Sequence, residues 1–230
     1  MSELLGNSLF FGVVISILAY QAGLICRRKW RSAILNPLLI SIVIVIVVLL
    51  VFHVDYETYN EGAKYLSYLL TPATVCLAIP LYEQLEHLKK NVKAIAAGIL
   101  SGVLSSLVSV LALSAVFGLS HEEYVTLLPK SITTAIGMGV SEELGGIVTI
   151  TVAVIIVTGV LGNIIADLVC RLFRIQEPVA KGIAIGSASH AIGTAKALEM
   201  GEVEGAMSSL SIAVSGILTV IGASVFAMFL

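Results

Sequence analysis

The chain has 230 residues, of which 58% are hydrophobic and only 12% are charged, and its mean hydropathy is +1.04. This composition excludes an ordinary soluble domain and predicts an all-α polytopic membrane protein embedded in a lipid bilayer. The formal net charge is −2, and the sequence has no basic tract with interleaved aromatic residues, so it gives no support for a nucleic-acid partner.

The first two predicted spans cover residues 5–25 and 37–52. Four cations and Trp30 lie at residues 27–31, and the positive-inside rule places them in the cytoplasm, with the N-terminus outside. The first apolar stretch is longer than the apolar region of a signal peptide and lacks a basic start, so we expect an uncleaved span. The third segment, residues 65–82, contains two prolines and is predicted to be bent or locally unwound.

The remaining spans are predicted at residues 94–119, 147–169 and 205–230. Lysines ahead of the first (Lys89, Lys90, Lys93) and arginines behind the second (Arg171, Arg174) indicate cytoplasmic loops. The chain is then outside near residue 120 and in the cytoplasm at residue 171, so it must cross the membrane an odd number of times between them. The span at residues 147–169 provides one crossing. Residues 129–146 should therefore enter and leave at the outer face, residues 184–203 at the cytoplasmic face, and the C-terminus should lie outside.

Those two re-entrant segments share a sequence pattern. Residues 131–137 read Ser-Ile-Thr-Thr-Ala-Ile-Gly and residues 187–193 read Ser-Ala-Ser-His-Ala-Ile-Gly, and the pairs Glu143/Glu199 and Gly145/Gly201 keep the same offset of 56. Polar, glycine-rich backbone at membrane depth is tolerated only where it lines a cavity or is buried in protein. A doubled broken segment of this kind indicates a transport site between repeats.

The predicted architecture is a single membrane domain, residues 1–230, with about six full transmembrane helices and two re-entrant or broken segments. Residues 1–119 form a four-span scaffold half that includes the proline-broken third span. Residues 129–170 and 184–230 form two units of an inverted repeat. If one copy instead crosses fully as a broken helix, the repeat is parallel.

Lys196 is the strongest candidate for a functional residue in the second copy, since an ammonium group in a membrane segment is unfavourable unless it is paired or hydrated. With the hydroxyls of Ser187, Ser189 and Thr194, and with Gly193, it could bind a small carboxylate. Alternatively it forms a structural ion pair with Glu199 or Glu202, or reaches the interface. His190 could carry a coupling proton or simply form an interhelical hydrogen bond. Candidate coupling groups are His190, Glu199 and Glu202, for H⁺ or Na⁺.

Lys130, Ser131, Thr133 and Thr134 open the first copy behind Pro129. Proline followed by hydroxyl residues fits the start of a half-helix, whose free backbone donors favour an anion. The alternative is an ordinary helix cap, with Lys130 among the lipid headgroups.

Several features are assigned structural roles. The small-residue face formed by Gly98, Ser101, Gly102, Ser105, Ser106 and Ser109 is predicted to serve close helix packing. Asn163 and Asp167 are expected to form hydrogen bonds. Cys26, Cys76 and Cys170 are isolated, and no catalytic, cofactor or metal motif is recognised, so we expect neither an enzyme nor a metalloprotein.

Residues 186–199, Gly-Ser-Ala-Ser-His-Ala-Ile-Gly-Thr-Ala-Lys-Ala-Leu-Glu, followed by residues 201–210, resemble the LrgB/CidB family. Residues 129–134, 143–146, 71–74 and 79–82 carry the resemblance over nearly the whole chain. Ala135 departs from the proline that many members have there, which leaves open how sharply the first copy is broken. The resemblance implies a stand-alone member in a bacterial inner membrane.

The same resemblance implies two functions. Some members are holin- or antiholin-like, are linked to murein hydrolase regulation and lysis, and act with a small LrgA/CidA-type membrane protein. Others are tied to pyruvate uptake, and a plant plastid relative with an LrgB-like portion moves glycolate and glycerate. We expect a secondary transporter of a small monocarboxylate or 2-hydroxy acid, with the lysis-related role as the alternative. By analogy with such folds, we expect a homodimer.

Overall fold

The computed structural model describes residues 10–30, 36–69, 72, 75–76 and 78–230. Every regular element in these ranges is helical, and they contain no strand. Four described helices are long and apolar enough to cross a membrane: Phe11–Lys29, Lys89–Phe117, Val148–Leu172 and Glu202–Phe229. The chain is therefore an all-helical membrane protein, as predicted, although the structure does not confirm a count of six spans.

The chain divides into two compact units, Met1–Cys76 and Leu77–Leu230. The described part of the first contains α1 (Phe11–Trp30), α2 (Pro37–Val51) and α3 (Tyr56–Ser67). α1 packs against both of the others. Its glycines allow this, because a Cβ on Gly23 would lie 2.9 Å from the Cα of Pro37. The Ser16 and Tyr59 hydroxyl oxygens, 2.8 Å apart, add a polar link between α1 and α3.

The first three predicted spans are only partly matched. α1 carries Arg27, Arg28 and Lys29 in its last turn rather than in a following loop, and residues 5–9 of the predicted span lie outside the described residues. α2 has 15 residues, which rise about 22 Å, less than the roughly 30 Å of a hydrocarbon core. α3 ends at Ser67 and a turn follows; the described residues of the predicted span 65–82 are incomplete, since 70–71, 73–74 and 77 lie outside them.

The described part of the second unit, residues 78–230, contains seven helices and a final 3₁₀ turn: α4 (Ala78–Glu83), α5 (Leu85–Phe117), α6 (His121–Leu127), α7 (Thr134–Glu143), α8 (Val148–Leu172), α9 (Pro178–Met200), α10 (Glu202–Phe226) and Ala227–Phe229. α5 has 33 residues and rises about 50 Å. The loop predicted at Lys89, Lys90 and Lys93 is wrong, because these residues lie in the first turns of α5. Lysine is a good helix former, so the helix continues beyond its apolar stretch.

The core of the second unit lies between α5, α6, α9 and α10. Ile99 and Leu107 of α5 pack with Tyr124 of α6 and Met207 of α10 in one fully buried cluster. The Tyr124 hydroxyl donates to the carbonyl oxygen of Phe226 at 2.9 Å, which joins α6 to the end of α10. α5, which we grouped with the N-terminal half, thus packs against the helices of the repeated region.

Candidate functional site

The first repeated segment folds as a hairpin that follows α6. Residues 128–133 form its first arm and its turn, and α7 is the returning arm. Its open end is tied to the beginning of α8. The Thr151 hydroxyl oxygen of α8 lies 2.9 Å from the carbonyl oxygen of Thr126 in α6 and 2.7 Å from the Ser141 hydroxyl oxygen in α7. The backbone N–H of Ile147 also donates to the Thr126 hydroxyl oxygen at 2.8 Å. The hairpin therefore begins directly after Thr126, near the end of α6, and returns to the same end of α8.

Lys130 and Ser131 lie in the turn of this hairpin. The Lys130 ammonium nitrogen donates to the Ser131 hydroxyl oxygen at 3.1 Å, and that oxygen lies 3.0 Å from the Ser106 hydroxyl oxygen on α5. Thr133 is the N-cap of α7, has an extended backbone and forms no side-chain cap. Thr134 is the first residue of the helix. The predicted half-helix start is therefore present directly after the Lys-Ser pair.

The second repeated segment, α9, folds back on itself. A straight helix would place Lys181 and Met200 about 28 Å apart, yet both line one small cavity. The backbone of His190 is non-helical, with φ 42° and ψ −143°, a conformation that is strained for a residue with a side chain. On either side of it, Ile185 and Ala197 pack in the same buried cluster. α9 is thus two half-helices with their apex at His190.

The open end of this second hairpin lies at the other end of α8. The Lys196 ammonium nitrogen is 2.8 Å from a carboxylate oxygen of Asp167, which is near the end of α8. Its apex reaches the middle of the same helix, where His190 Nε2 lies 3.0 Å from the Ile155 carbonyl oxygen. Gly137 of the first hairpin also packs on Ile155. The two hairpins therefore approach one point on α8 from opposite ends.

Small residues allow the second hairpin to pack closely against α8. A Cβ on Gly159 would lie 2.7 Å from the His190 ring, and Gly162 packs directly against Ser189. The Asn163 side-chain amide donates to the carbonyl oxygen of Ile192 at 2.8 Å. Asn163 and Asp167 therefore do form polar contacts, as predicted, and both contacts are with α9.

Thr194 and Gly193 lie inside the hairpin. The Thr194 side chain is 1% exposed, donates to the carbonyl oxygen of His190 at 2.9 Å and lies 2.7 Å from the Ser208 hydroxyl oxygen of α10. Gly193 is buried, and a Cβ there would lie 3.1 Å from the Ile185 side chain. Both positions hold the hairpin together.

Lys196 forms ion pairs with two carboxylates, Asp167 at 2.8 Å and Glu199 at 3.6 Å. The Glu199 pair is one that the sequence suggested as the structural alternative. The shorter pair, with Asp167, was not anticipated, because the two residues are far apart in sequence. Glu202 is exposed in the first turn of α10.

A cavity of about 880 Å³ lies between α5, α8, α9 and the turn of the first hairpin. Four of the predicted site residues line it: Lys130, Ser131, Ser187 and Ser189. The other predicted residues lie elsewhere, namely Thr133, Thr134, His190, Gly193, Thr194 and Lys196. The cavity therefore joins parts of both repeated segments, with Lys130 as the cation in its wall.

The serines of α5 were missed as lining residues. Ser101, Ser105, Ser106 and Ser109 all line the cavity, although the sequence analysis assigned this face to packing alone. The glycines do serve packing, since Gly98 contacts Ile183 and Gly102 contacts Ser187. The sequence did contain an indication of this polar lining, because serine rather than alanine recurs on this face of α5. Among the described residues no group of three His, Cys, Asp or Glu side chains is placed to hold a metal ion.

Long apolar helices, two helical hairpins and a hydroxyl-lined cavity define a polytopic membrane protein with polar residues buried at the level of its spans. Residues 16–229 match the model of the LrgB-like family, and the chain belongs to this family. It is 40% identical over 207 residues to the "Holin-like protein CidB" of Staphylococcus aureus (strain Mu50 / ATCC 700699), covering 90% of each chain. It is 39% identical over 222 residues to the "Antiholin-like protein LrgB" of Bacillus mycoides (strain KBAB4), covering 96% of each. No solved structure matches the chain significantly.

Proposed function

We propose that this protein is a holin- or antiholin-like regulator that acts with a small LrgA/CidA-type membrane protein to control murein hydrolase export and lysis. The observation that carries the proposal is the near full-length similarity to relatives named holin-like CidB and antiholin-like LrgB.

The lysis proposal is tested in a bacterial host that lacks its own LrgB- and CidB-type genes. The chain is expressed with and without an LrgA/CidA-type partner, and secreted murein hydrolase activity and the rate of lysis are measured. We expect both to change on expression, and to change further with the partner. Gly186→Leu is the inactive variant, because the side chain would collide with the backbone of Ser208. Equal hydrolase activity and lysis in all strains would reject the proposal.

The arrangement in the membrane is part of the proposal. The α8 helix is a candidate span, and the open ends of the two hairpins contact its opposite ends through Thr151 and Asp167. We infer that residues 129–170 and 184–230 are two inverted repeat units, each with a re-entrant hairpin and a span, within a six-span protein. The N- and C-termini then lie outside, as the positive-inside rule predicts.

A second candidate function is secondary transport of a small monocarboxylate or 2-hydroxy acid such as pyruvate, glycolate or glycerate. The observation that favours it is the 880 Å³ cavity, in which Lys130 and several hydroxyls lie beside the turn of one hairpin and the first half of the other. Hydroxyl donors and one cation fit a small carboxylate, because hydrogen bonds to a charged group are the stronger ones. His190, Glu199 and Glu202 are the proposed coupling groups for H⁺ or Na⁺, in a homodimer.

Transport is tested with purified protein in liposomes and labelled pyruvate and glycolate. We expect uptake by the wild type, and a loss on the order of tenfold in Lys130→Gln, since a charge-assisted hydrogen bond to the carboxylate is removed. Lys89→Gln is the matched control, because Lys89 is an exposed cation of α5 that does not line the cavity. Uptake that is equal in both variants and the wild type would exclude Lys130 from the site.

The two functions are separable. A lysis phenotype without uptake in liposomes would support the regulator alone, and uptake without a phenotype would support the transporter alone. If His190→Ala and Lys196→Ala together leave uptake unchanged, neither side chain takes part in binding or coupling, and their contacts to Ile155 and Asp167 are structural.

A further inference from the structure

A second cavity, of about 360 Å³, lies where α8 ends and α9 begins. Most of the side chains in its wall are polar or charged, and the complete lining is Asp167, Cys170, Arg171, Arg174, Ile175, Gln176, Lys181 and Met200. No residue of this wall belongs to the larger cavity.

The backbone after α8 builds this cavity. Arg174 has a positive φ of 54°, which reverses the chain directly after the helix. The N–H of Arg174 donates to the carbonyl oxygen of Arg171 at 3.2 Å, and the N–H of Ile175 donates to that of Cys170 at 2.8 Å. The turn keeps both arginines at one end of α8, while the folded α9 brings Lys181 and Met200 to the same place.

The charges in the wall are unbalanced. Three cations, Arg171, Arg174 and Lys181, stand against one carboxylate, Asp167. That carboxylate is already 2.8 Å from Lys196, and Lys181 is only 3.9 Å from a carboxylate oxygen of Glu204. In the part of the chain that the structure describes, neither arginine forms an ion pair. The guanidinium groups are therefore available to an external anion.

We propose that this cavity binds a phosphate group, supplied either by the headgroup of an anionic phospholipid or by free phosphate. The planar guanidinium fork matches phosphate geometry, and Arg is preferred wherever two parallel hydrogen bonds to such an oxyanion are made. Basic pockets between transmembrane helices bind anionic headgroups in the same way. Two arginines, a lysine and a glutamine around one partly open cavity provide that set of donors.

Cations near the end of a helix are also favourable without a ligand, because they face the negative end of its dipole. That effect needs no cavity and does not distinguish phosphate from any other anion. A binding measurement with matched variants therefore separates the two explanations.

The test uses the full-length protein in detergent, with three probes: phosphatidylglycerol, phosphatidylcholine and inorganic phosphate. Retained lipid is counted by native mass spectrometry, and the thermal midpoint is measured as each probe is titrated. We expect phosphatidylglycerol, inorganic phosphate or both to bind and raise the midpoint, while phosphatidylcholine does neither. Arg171→Gln with Arg174→Gln should weaken this binding on the order of tenfold. The control Lys89→Gln with Lys90→Gln removes two exposed cations of α5 and should leave binding unchanged.

Gln176→Glu is a second variant. It leaves both arginines unchanged and places a carboxylate in the wall of the cavity, where it would repel an anion. It should also weaken binding, so the proposal remains testable if the arginine variant does not fold. Binding of phosphatidylglycerol alone identifies a lipid site, and competition by inorganic phosphate identifies a site for free phosphate. Equal retention of both lipids with no effect of phosphate, or equal losses in the control and arginine variants, would overturn the proposal.

Discussion

The Nε2 atom of His190 lies 3.0 Å from the carbonyl oxygen of Ile155, 35 residues earlier in the chain. A carbonyl oxygen can only accept, so Nε2 carries the proton and donates it. Nδ1 is then the ring atom left to accept a coupling proton. The bond also fixes the apex of the second hairpin to the middle of α8, where the side chain is 3% exposed.

Two substitutions at His190 distinguish the stability that its side-chain hydrogen bond provides from the cost of its strained backbone. His190→Ala should lower the thermal midpoint of the purified protein, because it leaves a cavity and removes a buried hydrogen bond worth about 1 kcal/mol. His190→Gly loses the same contacts, but glycine adopts the positive φ of 42° without the penalty of roughly 1 kcal/mol that other residues carry. We expect the midpoints to follow wild type, then glycine, then alanine. If the alanine variant is at least as stable as the glycine variant, the backbone at position 190 is not strained.

The close approach of the second hairpin to α8 depends on Gly159. A Cβ at this position would lie 2.7 Å from the His190 ring and 2.9 Å from Ile192, so Gly159→Ala should destabilise the protein by about 1–3 kcal/mol. Gly139→Ala is the matched control, because its helix is exposed there and nothing lies within 4 Å of the added Cβ. That variant should be neutral or more stable by up to about 1 kcal/mol. Equal thermal midpoints for the two variants would mean that the hairpin is not packed on α8 as described.

Lys196 and Asp167 should be energetically coupled. We expect a double-mutant cycle of Lys196→Ala and Asp167→Ala to give about 0.5–1 kcal/mol, since the Asp167 side chain is 41% exposed and water screens the pair. The coupling should weaken at high salt. The cycle of Lys196→Ala with Glu202→Ala is the control and should be additive. A zero coupling energy for the first cycle would remove the ion pair as a link between α8 and α9.

The start of α6 should be sensitive to acid. A carboxylate oxygen of Glu123 accepts from the backbone N–H of Ser120 at 2.8 Å and from its hydroxyl at 3.0 Å, and these bonds hold the pKa of Glu123 below its ordinary value. The stabilisation from a lowered pKa is fully present above the ordinary carboxyl pKa and is lost as the pH falls through the lowered one. The difference in thermal midpoint between wild type and Glu123→Gln should therefore shrink in acid. A difference that does not vary with pH would show that the ionised carboxylate is not the stabilising form.

The orientation is tested by labelling single cysteines with an impermeant thiol reagent in intact cells. In a background without Cys26, Cys76 and Cys170, we expect Glu122→Cys to react from outside and Lys90→Cys to react only after the membrane is opened. Both positions are exposed and lie near opposite ends of α5. The reverse pattern would invert the proposed topology and exchange the faces from which the two hairpins enter.

Much of the fold could be predicted from local sequence. Apolar stretches located α2, α8 and α10 to within a few residues, because helix formation in lipid depends mainly on a continuous run of apolar side chains. The beginning of α5 was less predictable, since its lysines permit either a helix or a loop. The third predicted span could not be placed, because two prolines and a polar stretch allow several arrangements.

The sequence by itself determined that polar backbone breaks occur twice, near Ser131 and near His190, because the same hydroxyl and glycine pattern recurs at a fixed offset in an apolar chain. Only the tertiary structure decided which neighbours those breaks have. The α5 serines reach the large cavity because α5 packs on α9, and Lys196 has Asp167 as a partner because the hairpin returns along α8. Such contacts join residues 25 or more positions apart, and their geometry depends on how whole helices pack rather than on local spacing.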